Sequence, residues 1–204
     1  MSAQVLSVSL PSEIIYVSGT VNGTVYTWTL IEGAWTATVE RAADDTYVVA
    51  LTAVTAAGIS TNYTLTLYYG LLSLITDRTR TDVANQTDKG FYNASDLNRV
   101  GAAVEYIADR FTALGYACPV TVKKDWLTSD APTASQMEAY RQNIVTLRGQ
   151  IAVMASTPDA PASMAGLNYV KANNIEQILL DLDALIDKLI KSWYFSGELY
   201  AGEA

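Results

Sequence analysis

The sequence predicts two modules of different class: an antiparallel β-sandwich in residues 1–70 and an all-α, three-helix region in residues 93–204, joined by a connector at 71–92. Three observations carry this reading. Before Gly70, apolar residues alternate with Thr and Ser at a period of two. After it they recur at intervals of three and four, the spacing that lines one face of a helix. Half of the residues are apolar, so each module has material for its own core, with the first near the small end for an independent fold.

Six strands are read in the first module. Residues 3–10 place Leu6, Val8 and Leu10 on one face, and residues 13–18 form a short second strand. Residues 24–31 put Tyr26, Trp28 and Leu30 on one side and Val25, Thr27 and Thr29 on the other. Residues 34–40 offer Trp35, Ala37 and Val39; 46–54 offer Tyr47, Val49, Leu51 and Ala53; 60–69 offer Tyr63, Leu65, Leu67 and Tyr69. Branched and aromatic side chains of this kind pack well on a pleated face. The joints carry turn residues: Asn22-Gly23, Glu32-Gly33, Asp44-Asp45 and Ala57-Gly58. Short strands at this spacing predict a sandwich. The string WTATVERAADDTYVVALTAVTAAGIS resembles bacterial immunoglobulin-like modules, which gives the sandwich an immunoglobulin-like expectation. Thr55 and Ile59 stand where those modules often carry an acidic residue and Asn, which argues against a cation at this turn. Trp28 and Trp35 are the candidates for stacking on a sugar, although their alternating register also fits the core. Asp44 and Asp45 read as turn formers.

Three helices are read in the second module. The first starts near Asn93, with Asp96 in an approximate capping box, and runs through Leu97, Val100, Val104, Ile107, Phe111 and Leu114 to Gly115, which suits the left-handed position after a helix. Gly101 interrupts it at about 1 kcal/mol relative to Ala, a cost that close helix packing would explain. The second starts at Thr133 with Gln136 as its capping partner, and its stripe is Met137, Tyr140, Ile144, Leu147, Ile151 and Met154. The third begins after Asn168 and carries Ile175, Ile178, Leu182, Leu185, Leu189 and Trp193, broadened by Leu179 and Ile186. The first two stripes are short for a coiled coil, so packing within the chain is favoured. The interhelical loops are long for a plain bundle and should make contacts of their own. The connector holds Leu71, Leu72, Leu74 and Ile75 beside a polar stretch, and reads equally as a strut or a linker.

Composition excludes several functions. The net charge is -8 and no basic run occurs, so nucleic-acid binding by counterion release is not expected. No apolar run approaches the roughly 20 residues needed to span a bilayer, and MSAQVLSVSL lacks the features of a signal peptide. Cys118 is the single cysteine, which precludes an intramolecular disulfide, and its place beside Pro119 reads as a small buried apolar residue. There is no histidine to act as a base near neutral pH, and no phosphate loop, GxGxxG, HExxH or CxxC. No cofactor, metal or catalytic residue is expected, and the chain reads as a non-enzyme. Asp183 and Asp187, near Lys188 and Lys191, read as a solvated face, as do Glu105 and Asp109. The sequons at Asn22, Asn62, Asn85 and Asn93 read as chance in a Thr-rich chain.

Five strings together carry a further resemblance: LITDRTRTDV at 74–83, GFYNASDLNRVGAAVEYIADRFTALGY at 90–116, DWLTSDAPTASQMEAYRQNI at 125–144, LNYVKANNIEQILLDL at 167–182 and WYFSGELYAGE at 193–203. The series resembles uncharacterised structural proteins encoded in the tail modules of phages and prophages of Gram-positive bacteria, in which an immunoglobulin-like module often precedes such a helical region. The resemblance implies a structural part of a phage tail or tail-like particle, at the tail tip, baseplate or fibre, assembled in the host cytoplasm and carried in the virion. Its partners would be further copies of itself and other tail proteins. A host-surface glycan bound by the β module is the alternative. The candidate docking strip is Trp193, Tyr194, Phe195, Leu199 and Tyr200, which could equally fold back on its own helices.

Overall fold

The computed structural model describes residues 3–42, 46–69 and 74–199, with side chains described as far as residue 192. It contains two antiparallel sheets in the N-terminal part and helices in the C-terminal part. Strands β1 (Ala3–Val8), β5 (Ala34–Glu40) and β4 (Thr29–Ile31) form one sheet in the order β1-β5-β4. Strands β3 (Thr24–Thr27), β2 (Ile14–Val21), β6 (Thr46–Thr55) and β7 (Ser60–Tyr68) form the other, in the order β3-β2-β6-β7.

Two of the hairpins are closed by the residues expected of them. Val21 pairs with Thr24 across Asn22-Gly23, and Ile31 with Ala34 across Glu32-Gly33. All four turn residues have positive φ, the signature of a type I′ turn whose twist matches the strands. The strand read at 24–31 is in fact two. It breaks at Trp28, so that β3 pairs with β2 in one sheet and β4 with β5 in the other. The core draws on both sheets: Leu6, Val8, Trp35, Ala37 and Val39 from one, and Val17, Val21, Tyr47, Val49, Leu51, Ala53, Leu65 and Leu67 from the other. The strand order is not that of an immunoglobulin constant domain, ABED on CFG. Here β2 lies between β3 and β6 rather than between β1 and β5.

The helices are α1 (Arg80–Ala84), α2 (Ala94–Ala113), α3 (Ala134–Arg148) and α4 (Tyr169–Leu199), with a 3-10 turn at Asp88–Gly90. Asn93 caps α2 by accepting from the N–H of Ser95 and Asp96, while the Asp96 carboxylate accepts from Asn93 N–H. The far end closes as a Schellman motif: Tyr116 N–H donates to Phe111 O, Gly115 N–H to Thr112 O, and Gly115 has φ +87°. Thr133 and Gln136 form a complete capping box on α3. That helix ends at Arg148, one turn earlier than the apolar spacing suggests, so Ile151 and Met154 lie beyond it. Gly149 follows, a residue with little helical preference, and the Arg148 guanidinium turns to Pro158 O and the Asp159 carboxylate. Asn168 caps α4 by accepting from Lys171 N–H. Among the described residues no helix is long and apolar enough to cross a membrane.

The chain divides into two compact units, with boundaries at both ends of the connector and also further along the chain. The first unit gathers the strands with Tyr92–Ala102 and Lys123–Ala131, and the second takes the segment ending at Phe91, Ala103–Val122 and the chain from Pro132. One boundary thus falls inside α2. Residues 74–91, read as part of a connector, carry α1 with its Thr79–Asp82 capping box and belong to the helical unit. Of the connector's apolar residues, Leu71 and Leu72 lie outside the described residues.

Candidate interaction surface

The first unit presents a sheet face without charge. Alternation puts Val17, Val21, Val49, Leu51, Leu65 and Leu67 inward. It leaves Tyr16, Ser18, Thr20, Val25, Thr27, Val48, Ala50, Thr52, Asn62 and Thr64 on the outer face of β3-β2-β6-β7, in the cross-strand register Val25–Thr20–Ala50–Thr64 and Thr27–Ser18–Thr52–Asn62. None of the four strands contains Asp, Glu, Lys or Arg. Apolar side chains stand out from this face: Val25 is 77% exposed, Tyr16 58% and Val48 50%. A register shift between Ile14 and Tyr16 also turns Ile15 outward.

A recess of about 500 Å³ opens where the chain passes from β3 to β4, lined by Val25, Thr27, Thr29, Ile31, Thr36 and Thr38, with Tyr26 and Ala37. Its cause is the break at Trp28. Beyond Thr29–Thr36 no strand among the described residues pairs with β5 on this side, because β3 has joined the other sheet. Four threonines and no acidic or basic residue line the recess.

The sequence candidates fall elsewhere. Trp28 and Trp35 are 6% and 7% exposed and belong to the core. Stacking on a sugar needs an open indole face, which burial denies to both. The side chains of Trp193, Tyr194, Phe195 and Leu199, and all of Tyr200, lie outside the described residues, as do Asp44 and Asp45. Cys118 is half-buried, and burial pushes its thiol pKa up. Asp183 and Asp187 are not simply solvated. The Arg110 guanidinium bonds both, reaching Asp187 at 2.5 Å, and this bond holds the Asp187 carboxyl below its ordinary value. Asp109 is exposed. Among the described residues no group of three or more Cys, Asp or Glu side chains is arranged to hold a metal ion.

Sequence reasoning missed the polar groups that organise the loops. Three helix asparagines each grip both backbone groups of one residue in an extended segment. In the first unit, Asn98 accepts from Trp126 N–H (2.7 Å) and donates to Trp126 O (3.0 Å). In the second, Asn143 accepts from Thr121 N–H (3.1 Å) and donates to its carbonyl (2.7 Å), and Asn173 does the same for Arg78 (3.0 and 2.9 Å). Each carboxamide stands in for a neighbouring strand. Also missed was a buried ion pair, Arg78 with Glu176 at 2.7 Å, in which Glu176 further accepts from Ile75 N–H and Arg78 donates to Ile75 O. No signal short of the fold marks these residues, since Asn and Glu on a helix ordinarily face water.

The comparisons with known proteins identify nothing. No family model matches this chain, and neither a curated protein nor a solved structure does.

Asp125 anchors the returning segment to the first unit. Its carboxylate accepts from Ser9 N–H and pairs with Lys123 at 2.8 Å. Burial pushes the Asp125 carboxyl up, but these partners outweigh it and hold the pKa below the ordinary value. Leu127, two residues on, joins the core of the sheets.

Proposed function

We propose that this chain is a non-enzymatic structural component of a phage tail or tail-like particle, assembling with copies of itself and with other virion proteins. The observation that carries the reading is the uncharged outer face of the four-stranded sheet, with Tyr16, Val25 and Val48 exposed on it. Isolated exposed apolar residues are ordinary, but a whole sheet face without one charge fits a surface covered by protein. The resemblance of five ordered strings in the second module to tail-module proteins supports the particle. The shared core of the two sheets supports a sandwich of immunoglobulin-like kind, with β2 transferred between sheets as the departure from that family's order. The second module is then its three-helix domain, built on α2, α3 and α4. Light scattering across a dilution series tests the self-assembling part, which expects a defined oligomer. A monomer at every concentration sinks that part and leaves a subunit that docks only on different neighbours.

The threonine-lined recess favours a second reading, a virion-borne module that holds a neutral host glycan by hydroxyl contacts rather than by tryptophan stacking. Loss of glycan-array signal in Thr36→Val with Thr38→Val is its test. Silence of the wild-type protein on the array dismisses it.

A further inference from the structure

The four-stranded sheet ends in an edge that α2 covers at one end, where Asn98 meets Thr66, and that is open along Ser60–Thr64. Strand β7 spans nine residues, pairs with β6 without a register shift, and contains neither Pro nor a charged residue. Charges, prolines and bulges are the devices by which edge strands avoid pairing with other chains. One hydrogen bond fixes where its free backbone groups point: the Thr66 carbonyl accepts from Asn98 Nδ2 at 3.2 Å, away from β6. Backbone groups alternate in direction along a strand, so Ser60, Asn62 and Thr64 also aim N–H and C=O at the open edge. The hairpin end agrees. Thr55 N–H donates to Ile59 O at 3.0 Å, which assigns the odd-numbered residues of β7 to the ladder with β6. Ser60, Asn62 and Thr64 are all exposed.

We propose that this edge pairs with the same edge of a second copy of the chain, antiparallel and two-fold symmetric about Asn62. The inference rests on the self-assembling reading above and gives it a surface. Charge selects the occupant. Two copies at -8 each repel over most approaches, and the uncharged strands are where they can meet without like charges opposed. Geometry agrees, because the strand is its own complement. With Asn62 opposite the partner's Asn62, Ser60 faces the partner's Thr64, and these are the pairs whose N–H and C=O point outward, with Thr61 and Tyr63 opposed between them as a non-hydrogen-bonded pair. The two sheets then continue as one across the interface.

Two variants and one measurement decide it. Asn62→Pro removes an outward N–H and the exposed side-chain acceptor of the Thr52 hydroxyl but no backbone bond to β6, so the monomer's ladder survives. Asn62→Asp keeps an acceptor for the Thr52 hydroxyl, which lies 2.9 Å from Asn62 Oδ1, and sets two carboxylates face to face across the two-fold. Sedimentation velocity is expected to show a wild-type dimer. Asn62→Asp should weaken it roughly tenfold at low salt, with recovery as salt rises. Asn62→Pro should abolish it with the melting temperature of the dissociated protein little changed. A wild-type protein that stays monomeric to the solubility limit overturns the proposal, while leaving docking on other virion proteins intact. An oligomer indifferent to both variants overturns the edge alone and leaves self-assembly standing through another surface.

Discussion

Asn98→Ala should be the most damaging single truncation of a polar side chain in the first unit, and its cost can be worked from the contacts. Asn98 is fully buried, and it satisfies Trp126 N–H, Trp126 O and Thr66 O at 2.7, 3.0 and 3.2 Å. Trp126 is itself 4% exposed, so its two backbone groups lose their partner inside the protein. A buried group left unsatisfied costs about 1–3 kcal/mol. Two such groups give about 2–6 kcal/mol, and water entering the vacated volume lowers this to about 2–4. The control is built into the molecule. Asn143 makes the same grip, but on Thr121, which is exposed, so water replaces the carboxamide and Asn143→Ala should cost about 0.5–1 kcal/mol. Urea unfolding measures both. Tryptophan fluorescence in a Trp193→Phe background follows the first unit, which holds Trp28, Trp35 and Trp126, and far-UV circular dichroism follows the helices. Hydrogen exchange of Trp126 N–H gives the local reading, with protection lost in Asn98→Ala before the sheets unfold. Equal costs for the two variants would refute the view that burial, rather than the grip itself, sets the value of these bonds.

Two further outcomes follow from the charged groups. Glu176→Ala removes the carboxylate facing a 3% exposed Arg78 and should destabilise the helical unit by about 3–5 kcal/mol, whereas replacing both partners by Met and Leu should cost much less; thermal melts of the two variants separate these cases. Asp125 has a folded pKa below its unfolded value, so its contribution to stability is complete above about pH 4 and is lost as pH falls through the folded pKa; Asp125→Asn should flatten the acid limb of the stability profile of the first unit.

What the sequence made legible were features with a local cause. The two Gly turns, the caps at Asn93, Thr133 and Asn168, and the stop at Gly115 depend on a few neighbouring residues, and each is where the local rule puts it. The apolar stripes are buried over most of α2 (Leu97, Val100, Val104, Ile107 and Phe111) and the N-terminal part of α4 (Ile175, Ile178, Leu179, Leu182 and Ile186), while Leu114, Leu185 and Leu189 are only half-buried. The break at Trp28 was not legible, because alternation continues unbroken through it; only the pairing partner changes. The end of α3 was misread for a related reason. Ile151 and Met154 keep the helical interval by coincidence, while Gly149 and the bond from Arg148 to Pro158 O end the helix. The asparagine grips depend on segments 28, 95 and 22 residues away, and so had no local signal at all.

The helical unit and the four-stranded sheet handle polarity in opposite ways, and the contrast bears on function. The helical unit keeps charge inside, with Arg78 and Glu176 buried against each other and their remaining bonds made to the backbone of Ile75. An ion pair of this kind is poor as a source of stability but strict about geometry, since any other arrangement leaves a buried charge unmet. It fixes the extended segment at 75–78 against α4. The four-stranded sheet instead removes charge even from the face that meets solvent, where charge would cost nothing and would guard the edges. A chain that retains a 17% charged composition overall yet none in four strands has forgone the usual protection against association at that sheet. For a subunit that must be covered by its neighbours, that omission is what lets the neighbours approach.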